Sequence, residues 1–136
     1  MRRRQIWVVA LMALLSGCST TASRKVGQGE KGEPETVMVV YHVKAGKEQE
    51  MRAALDKVWE IYRRERLVLA QPHVIVRDTE DGGKPRFVEI FTWVNHAAPE
   101  TVPDGVKKLW DEMQAICEAR GEHNNLEGGE VELVTK

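Results

Sequence analysis

The sequence predicts a small α+β domain in which four strands and two helices follow one another in the order βαββαβ. Two stretches carry apolar residues at helical spacing, and four β-rich stretches surround them. The first and third strands are apolar on both faces, whereas the second and fourth are more polar. Strands of the first kind are expected in the middle of a sheet that is covered on both sides.

The first half of the domain opens with a strand over residues 36–43, followed by a turn over residues 44–47. A helix is predicted over residues 48–66, because apolar residues recur there at spacings of three and four. Its apolar stripe contains Met51, Leu55, Val58 and Tyr62.

A hairpin follows, with strands over residues 73–78 and 86–94. The sequence Asp81-Gly82-Gly83 lies between them and is a strong turn signal. His73 is expected only to open its strand.

The second helix is predicted to begin at Thr101 as the capping residue and to end before Gly121. A last strand is predicted over residues 130–135.

This order is the split βαβ, ferredoxin-like arrangement. It places both helices on one face of a four-stranded antiparallel sheet, with the first and third strands in the centre. The chain contains no further element that could cover the other face of the two central strands. A second copy of the chain is therefore expected there, giving a homodimer whose sheets pack face to face.

The N-terminus has the layout of a secretory signal. Arg2, Arg3 and Arg4 form a positive segment, and residues 6–15 are almost continuously apolar. This run is too short to span a bilayer comfortably. Two small residues, Ser16 and Gly17, precede Cys18.

The sequence Leu-Ser-Gly-Cys that ends at Cys18 resembles the bacterial lipobox. The resemblance implies that residues 1–17 are removed, that Cys18 is acylated, and that the protein is exported and anchored to the cell envelope. Ser19, a residue other than Asp after the cysteine, resembles outer-membrane sorting signals. Residues 18–35 would then form a flexible tether, because they are rich in Gly, Ser, Thr and charges. The domain itself covers residues 36–136.

Charge argues against a nucleic-acid partner. The whole chain has 20 basic and 21 acidic residues. Cleavage of the leader would remove three Arg and no acidic residue, which leaves 17 basic and 21 acidic residues and a net charge of −4. Nucleic-acid-binding domains are basic, with clustered Lys and Arg.

The four His show no metal-ligand spacing, so no metal site is predicted. Cys117 lies in an apolar helical stripe without a paired base, so no nucleophile is predicted either.

At the level of the whole domain, the layout is similar to that of the dimeric α+β barrel superfamily, and most like its antibiotic biosynthesis monooxygenase-like members. The strand-end patterns Val-x-Ala-Gly-Lys at residues 43–47 and Phe-Val-x-x-x-x-Trp at residues 87–93 add to the resemblance. Members include cofactor-free oxygenases of aromatic polyketides, haem-degrading enzymes and proteins without an assigned activity. The haem-degrading members use an Asn in the first strand and a His in the second helix. Neither is present here, which argues against haem degradation.

Candidate catalytic residues are Glu89 and His96. Glu89 lies in the third strand on the side of Phe87, Phe91 and Trp93, where a carboxylate among aromatic rings is a candidate base. An ion pair with Arg77 or Arg86 at a dimer rim is the favoured alternative.

Candidate ligand-binding residues come from three parts of the chain. Trp93, Asn95 and His96 lie where the third strand ends, and would offer an aromatic plane, an amide and a titrating ring at a pocket mouth. A capped loop is the alternative. His42 ends the first strand as a ligand partner or a hydrogen-bonded interface histidine. Tyr62 and Trp110, with Trp59 and Met113, would line a cavity or simply fill the core.

Three functions remain open from sequence. The first is a cofactor-independent oxygenase or binder of a small aromatic or apolar molecule. The second is a sensor or carrier without chemistry, and the third is a structural dimerisation module. The sequence contains no cofactor motif, so haem or flavin would have to bind without one.

Overall fold

A computed structural model describes residues 32–134. The predicted leader, Cys18 and most of the tether lie outside this range, as do Thr135 and Lys136. The elements are β1 (Glu35–His42), α1 (Glu48–Arg64), β2 (Val68–Glu80), β3 (Lys84–Trp93), α2 (Asp104–Ala115) and β4 (Leu126–Glu130), with a 3-10 turn at Ala98–Thr101. No helix among residues 32–134 is long and apolar enough to cross a bilayer.

The four strands form one antiparallel sheet in the order β2-β3-β1-β4. The fold is therefore the predicted ferredoxin-like βαββαβ arrangement, with the two doubly apolar strands β1 and β3 in the centre. In the β1–β3 pair, Val37 lies opposite Phe91 and Val39 lies opposite Glu89. Side chains alternate between the two faces of the sheet, so this register decides which residues face the helices.

One face of the sheet forms the core together with α1 and α2. Odd-numbered residues of β1 and β3 point to this side, as the sequence predicted, and meet the apolar stripes of both helices. The buried apolar residues include Val37, Val39, Tyr41, Met51, Leu55, Val58, Tyr62, Phe87, Phe91, Trp93, Val106, Leu109 and Met113.

The other face carries apolar side chains that are exposed or half-buried within residues 32–134. Val76 is 51% exposed, and Val74 and Met38 are also exposed. Val88 and Ile90 lie opposite Val76 and Val74 in the β2–β3 pair. We call this surface, formed by Met38, Val40, Val74, Val76, Val88 and Ile90, the open face.

The last strand differs from the prediction: β4 is Leu126–Glu130 and not residues 130–135. Gly128 and Gly129 look like loop residues because glycine is depleted in strands. Here Gly128 pairs with Val39 and Gly129 with Met38, so pairing with the central strand overrides local preference. β4 is short and lies at the sheet edge.

The second helix also begins later than predicted, at Asp104 and not after a Thr101 cap. Val102, which precedes Pro103, is extended (φ −63°, ψ 143°), as expected for a residue before proline. Thr101 belongs to the 3-10 turn, where its hydroxyl donates to the carbonyl of Ala98. The helix ends at Ala115, several residues before Gly121.

Candidate functional site

The carboxylate of Glu89 lies on the helix-facing side of β3 and is nearly completely enclosed, with the residue 2% exposed. Its Oε2 accepts a hydrogen bond of 3.0 Å from the hydroxyl of Tyr41 on β1. Its Oε1 lies 3.3 Å from Nε2 of His73 on β2. Three adjacent strands thus each contribute one polar side chain to a hydrogen-bonded group inside an apolar layer. We call Tyr41, His73 and Glu89 the buried triad.

The expected ion pair of Glu89 with Arg77 or Arg86 is wrong. Arg86 points to the opposite face and forms a two-pronged bond with Asp78, and Arg77 lies 3.7 Å from Glu48 at the start of α1. The alternation of side chains along β3 separates Arg86 from Glu89.

Tyr41 is the donor in its bond to Glu89. Burial raises the pKa of Tyr41 well above its usual range, and the nearby carboxylate of Glu89 raises it further. The hydroxyl therefore keeps its proton at neutral pH and donates a hydrogen bond to the carboxylate. Burial and Glu89 raise the pKa of Tyr62 in the same way.

His73 is the member of the triad nearest to solvent. Its side chain is 17% exposed, and its ring stacks on Trp59 with a centroid separation of 3.6 Å and an interplanar angle of 11°. Within residues 32–134, no hydrogen bond to its second ring nitrogen, Nδ1, is present. The triad therefore runs from an enclosed carboxylate to a ring nitrogen at the edge of the domain.

The hairpin turn in the sequence indicates the position of His73. A three-residue turn at residues 81–83 pairs Glu80 with Lys84, and counting back along both strands pairs His73 with Phe91 and Ile75 with Glu89. His73 is thereby a diagonal neighbour of Glu89 on the same face. The strand begins five residues earlier than predicted, at Val68, so His73 lies inside it.

Aromatic rings surround the triad, and they include three predicted ligand-binding residues. Tyr62 and Trp93 are buried with ring centroids 4.9 Å apart, and Phe91 lies 5.0 Å from Trp93. The indole nitrogen of Trp110 donates to the hydroxyl of Tyr62 at 2.7 Å. Tyr62, Trp93 and Trp110 thus belong to the same layer as Glu89.

His96 and Asn95 lie elsewhere. The side chain of His96 is 79% exposed, and its Nδ1 lies 2.7 Å from a carboxylate oxygen of Glu35. The Oδ1 of Asn95 accepts from the backbone nitrogen of Ala97 at 3.0 Å. Asn95 thus caps the loop and His96 ties it to the start of β1, and neither residue forms a hydrogen bond to the buried triad.

His42 lies on the opposite face of β1 from Tyr41, because adjacent strand residues point in opposite directions. It is buried, with Nδ1 2.9 Å from Oε2 of Glu80 and Nε2 3.2 Å from Oε2 of Glu127. His42 is therefore a hydrogen-bonded histidine that has no contact with the buried triad.

Arg120 holds the surroundings of His42 in place. Its side chain is 8% exposed and donates to Glu80 and to the carbonyl oxygens of Val43 and Pro85. Burial alone would raise the pKa of Glu80, but the hydrogen bonds from His42 and Arg120 outweigh it and lower the pKa below its usual value. The carboxylate of Glu80 is therefore ionised at neutral pH.

Cys117 has no features of a nucleophile. Burial raises the pKa of its thiol to about 12, so the reactive thiolate is absent at neutral pH.

Comparison with solved structures shows what this fold resembles. The chain is similar to SnoaB, a cofactor-independent oxygenase from Streptomyces nogalater, in a mutant form (TM-score 0.56, 16% identity, 77% of this chain and 97% of that one). It is also similar to a Bacteroides thetaiotaomicron protein assigned to the antibiotic biosynthesis monooxygenases (TM-score 0.54, 16% identity, 76% and 91%). Protein SO0527 from Shewanella oneidensis gives a TM-score of 0.52 at 17% identity, over 73% and 91% of the two chains.

These TM-scores establish a likeness of fold to antibiotic biosynthesis monooxygenases, and the low sequence identities make it a distant one. No family model matches the chain, and no curated protein matches its sequence significantly.

Replacing Glu80 by Gln is expected to lower the free energy of unfolding at pH 7 by about 1.5–3 kcal/mol, because hydrogen bonds to charged groups are lost. Folding lowers the pKa of Glu80 from its usual 4.5. The ionised carboxylate thus stabilises the fold fully above about pH 4.5, and this contribution disappears as the pH falls through the folded-state pKa. Urea unfolding between pH 7 and pH 3 should therefore show that wild type and Glu80→Gln converge on acidification.

Asp81→Asn provides the matched control, because Asp81 is the adjacent exposed carboxylate and forms no ion pair within residues 32–134. Its stability should follow that of wild type throughout. A constant gap between Glu80→Gln and wild type down to pH 3 would contradict the ion-pair account of Glu80.

Proposed function

We propose that this domain removes a proton from a small aromatic substrate and thereby prepares it for reaction with oxygen, as a cofactor-independent oxygenase. The observation that carries the proposal is the buried triad: an enclosed carboxylate hydrogen-bonded to a tyrosine on one side and to a partly exposed histidine on the other. The likeness of the fold to antibiotic biosynthesis monooxygenases supports it as analogy only.

The proposed base is His73, and Glu89 is its positioning residue. In this scheme Nε2 of His73 carries the proton and donates a hydrogen bond to Glu89, because a carboxylate only accepts hydrogen bonds. The lone pair is then on Nδ1, which can accept a proton from the substrate. The carboxylate stabilises the imidazolium that forms, as the acidic member of a catalytic triad does.

Tyr41 has a supporting role in this scheme. Its hydroxyl donates to the second oxygen of Glu89 and so satisfies a carboxylate that would otherwise be buried with one partner. Since Tyr41 keeps its own proton, it fixes the carboxylate without competing for the substrate proton.

A substrate with an acidic C–H bond between aromatic rings fits this chemistry. Loss of the proton gives a carbanion that donates electrons to O2 directly, so the protein need not supply a redox group. For anthrone, one atom of O2 becomes the new carbonyl of anthraquinone and the other leaves as water. The half-buried indole of Trp59, stacked on His73, offers an apolar plane beside the proposed base.

We further propose that the mature protein is an envelope lipoprotein, cleaved after Gly17 and acylated on Cys18. The positive segment, the short apolar run and the Leu-Ser-Gly-Cys sequence support this location. Several acyl chains on one cysteine would anchor the domain stably, whereas a single chain would not.

The contacts among the aromatic rings favour a second function, a dimerisation module whose interior is filled by its own side chains. Tyr62, Phe91 and Trp93 contact one another closely, as they would in such a module. In either function the open face is proposed to contact a second copy of the chain.

Oxygen uptake with anthrone as the probe tests the oxygenase proposal. Wild type should consume O2 and form anthraquinone, and His73→Asn should lower kcat by about 10²–10⁴-fold, the usual contribution of a general base. Glu89→Gln should also lower kcat, since its amide cannot stabilise the imidazolium. His96→Ala discriminates between the two candidate bases: it retains turnover if His73 is the base. Unchanged kcat in His73→Asn would refute the assignment, and an inactive wild type would favour the dimerisation module.

The open face should hold a homodimer together. Native mass spectrometry on residues 19–136 is expected to give a dimer, and Val76→Glu should convert it to a monomer, because a buried unpaired carboxylate opposes the association. Val134→Glu is the matched control, since Val134 is 89% exposed outside the sheet. A monomeric wild type, or a Val76→Glu protein that stays dimeric, would count against face-to-face packing.

Cys18→Ser should abolish lipid anchoring. Wild type is expected in the membrane fraction with an acylated N-terminal peptide by mass spectrometry, whereas the variant should lack the acyl mass. Cys117→Ser changes the other cysteine and should leave anchoring intact. A Cys18→Ser protein with the wild-type lipid mass would overturn the lipobox assignment.

A further inference from the structure

A second polar cluster lies on the face of the sheet opposite the buried triad. His42 at the end of β1, His123 in the loop before β4 and Glu127 in β4 each present a ligand atom, and these atoms all lie within 4.8 Å of one another. Nε2 of His42 is 3.2 Å from one oxygen of Glu127, and Nδ1 of His123 is 3.0 Å from the other. Spacing along the chain concealed this set, because His42 is 85 residues from Glu127.

The geometry around His42 favours a cation in this cluster. A neutral imidazole has one donor, and His42 faces a carboxylate at each nitrogen. If Nδ1 donates to Glu80, the lone pair of Nε2 points at the carboxylate of Glu127, which is also only an acceptor when ionised. A metal ion between Nε2 and Glu127 would remove this conflict, because both the lone pair and the carboxylate could then bind it.

The arrangement fits a metal ion well. Two imidazole nitrogens and one carboxylate are the ligand set of many zinc sites with one open position, and zinc–nitrogen bonds of roughly 2.0–2.1 Å place neighbouring tetrahedral ligands roughly 3.3 Å apart. The two contacts to Glu127, one to each carboxylate oxygen, are near this spacing. Metal-bound histidines also commonly donate their other N–H to a carboxylate, which Glu80, itself held by Arg120, provides for His42.

We propose that His42, His123 and Glu127 bind one divalent transition-metal ion of the zinc type, with Glu80 as a positioning residue. His42 belongs to the central strand β1, and Glu127 belongs to the short edge strand β4. The ion therefore fastens β4, with its two glycines, to the middle of the sheet. This site is independent of the buried triad, and its role is to stabilise the sheet edge.

Metal titration of the untagged full-length protein tests the site with Co²⁺ and Zn²⁺ alone as probes. One Co²⁺ per chain should bind with a visible d–d spectrum, and Zn²⁺ should displace it and raise Tm, because it binds only the folded state. Glu127→Gln and His123→Ala should each weaken Zn²⁺ binding by at least ~10-fold, and Glu80→Gln by ~10–100-fold, as second-sphere changes typically do. His123 and Glu127 are exposed enough for these variants to fold, which their circular dichroism should verify.

His96→Ala is the control, because His96 also pairs with a carboxylate, that of Glu35, but belongs to no such cluster within residues 32–134. It should bind Co²⁺ and Zn²⁺ as wild type does. A wild type that binds no stoichiometric Co²⁺, or a folded His123→Ala that binds as tightly as wild type, would overturn the proposal.

Discussion

The antiparallel register between β1 and β3 is the constraint on which the rest of this domain depends. It places Val39 opposite Glu89 and Tyr41 opposite Phe87, so that the odd-numbered residues of both strands face the helices. A shift of one residue would move Glu89 to the open face and bring Ile90 or Val88 into the interior. In this register the bond from Tyr41 to Glu89 satisfies one oxygen of the buried carboxylate.

Much of the fold could be predicted from the sequence because its signals are local and agree with the topology. The apolar pattern of residues 36–43 and the stripe of α1 identified both elements and their buried faces. The signal failed where long-range pairing decides the structure: Gly128 and Gly129 form a strand because β1 offers hydrogen-bonding partners. It also failed at Val102, because Pro103 keeps this residue extended although Thr101 before it is a residue type that often caps helices.

The candidate site shows the same contrast between local signals, which the sequence reveals, and long-range contacts, which it does not. Glu89 stood out because a charge in an apolar strand is unusual, but its partners depend on strand pairing, which composition does not reveal. The position of His73 beside Glu89 could be predicted from the hairpin turn alone, since the strand register follows from the turn length. The partners of His42 were not, because Glu80 and Glu127 are separated from it by 38 and 85 residues.

The strand β1 serves two chemically different surfaces through adjacent residues. Tyr41 faces an enclosed aromatic layer, and His42 faces a charged cluster on the other side of the sheet. Only the backbone of β1 at these two consecutive residues separates the aromatic layer from the charged cluster. A shift of the β1 backbone would therefore alter the aromatic layer and the charged cluster together. Either surface can change independently in evolution only through side-chain substitutions that leave the backbone in place.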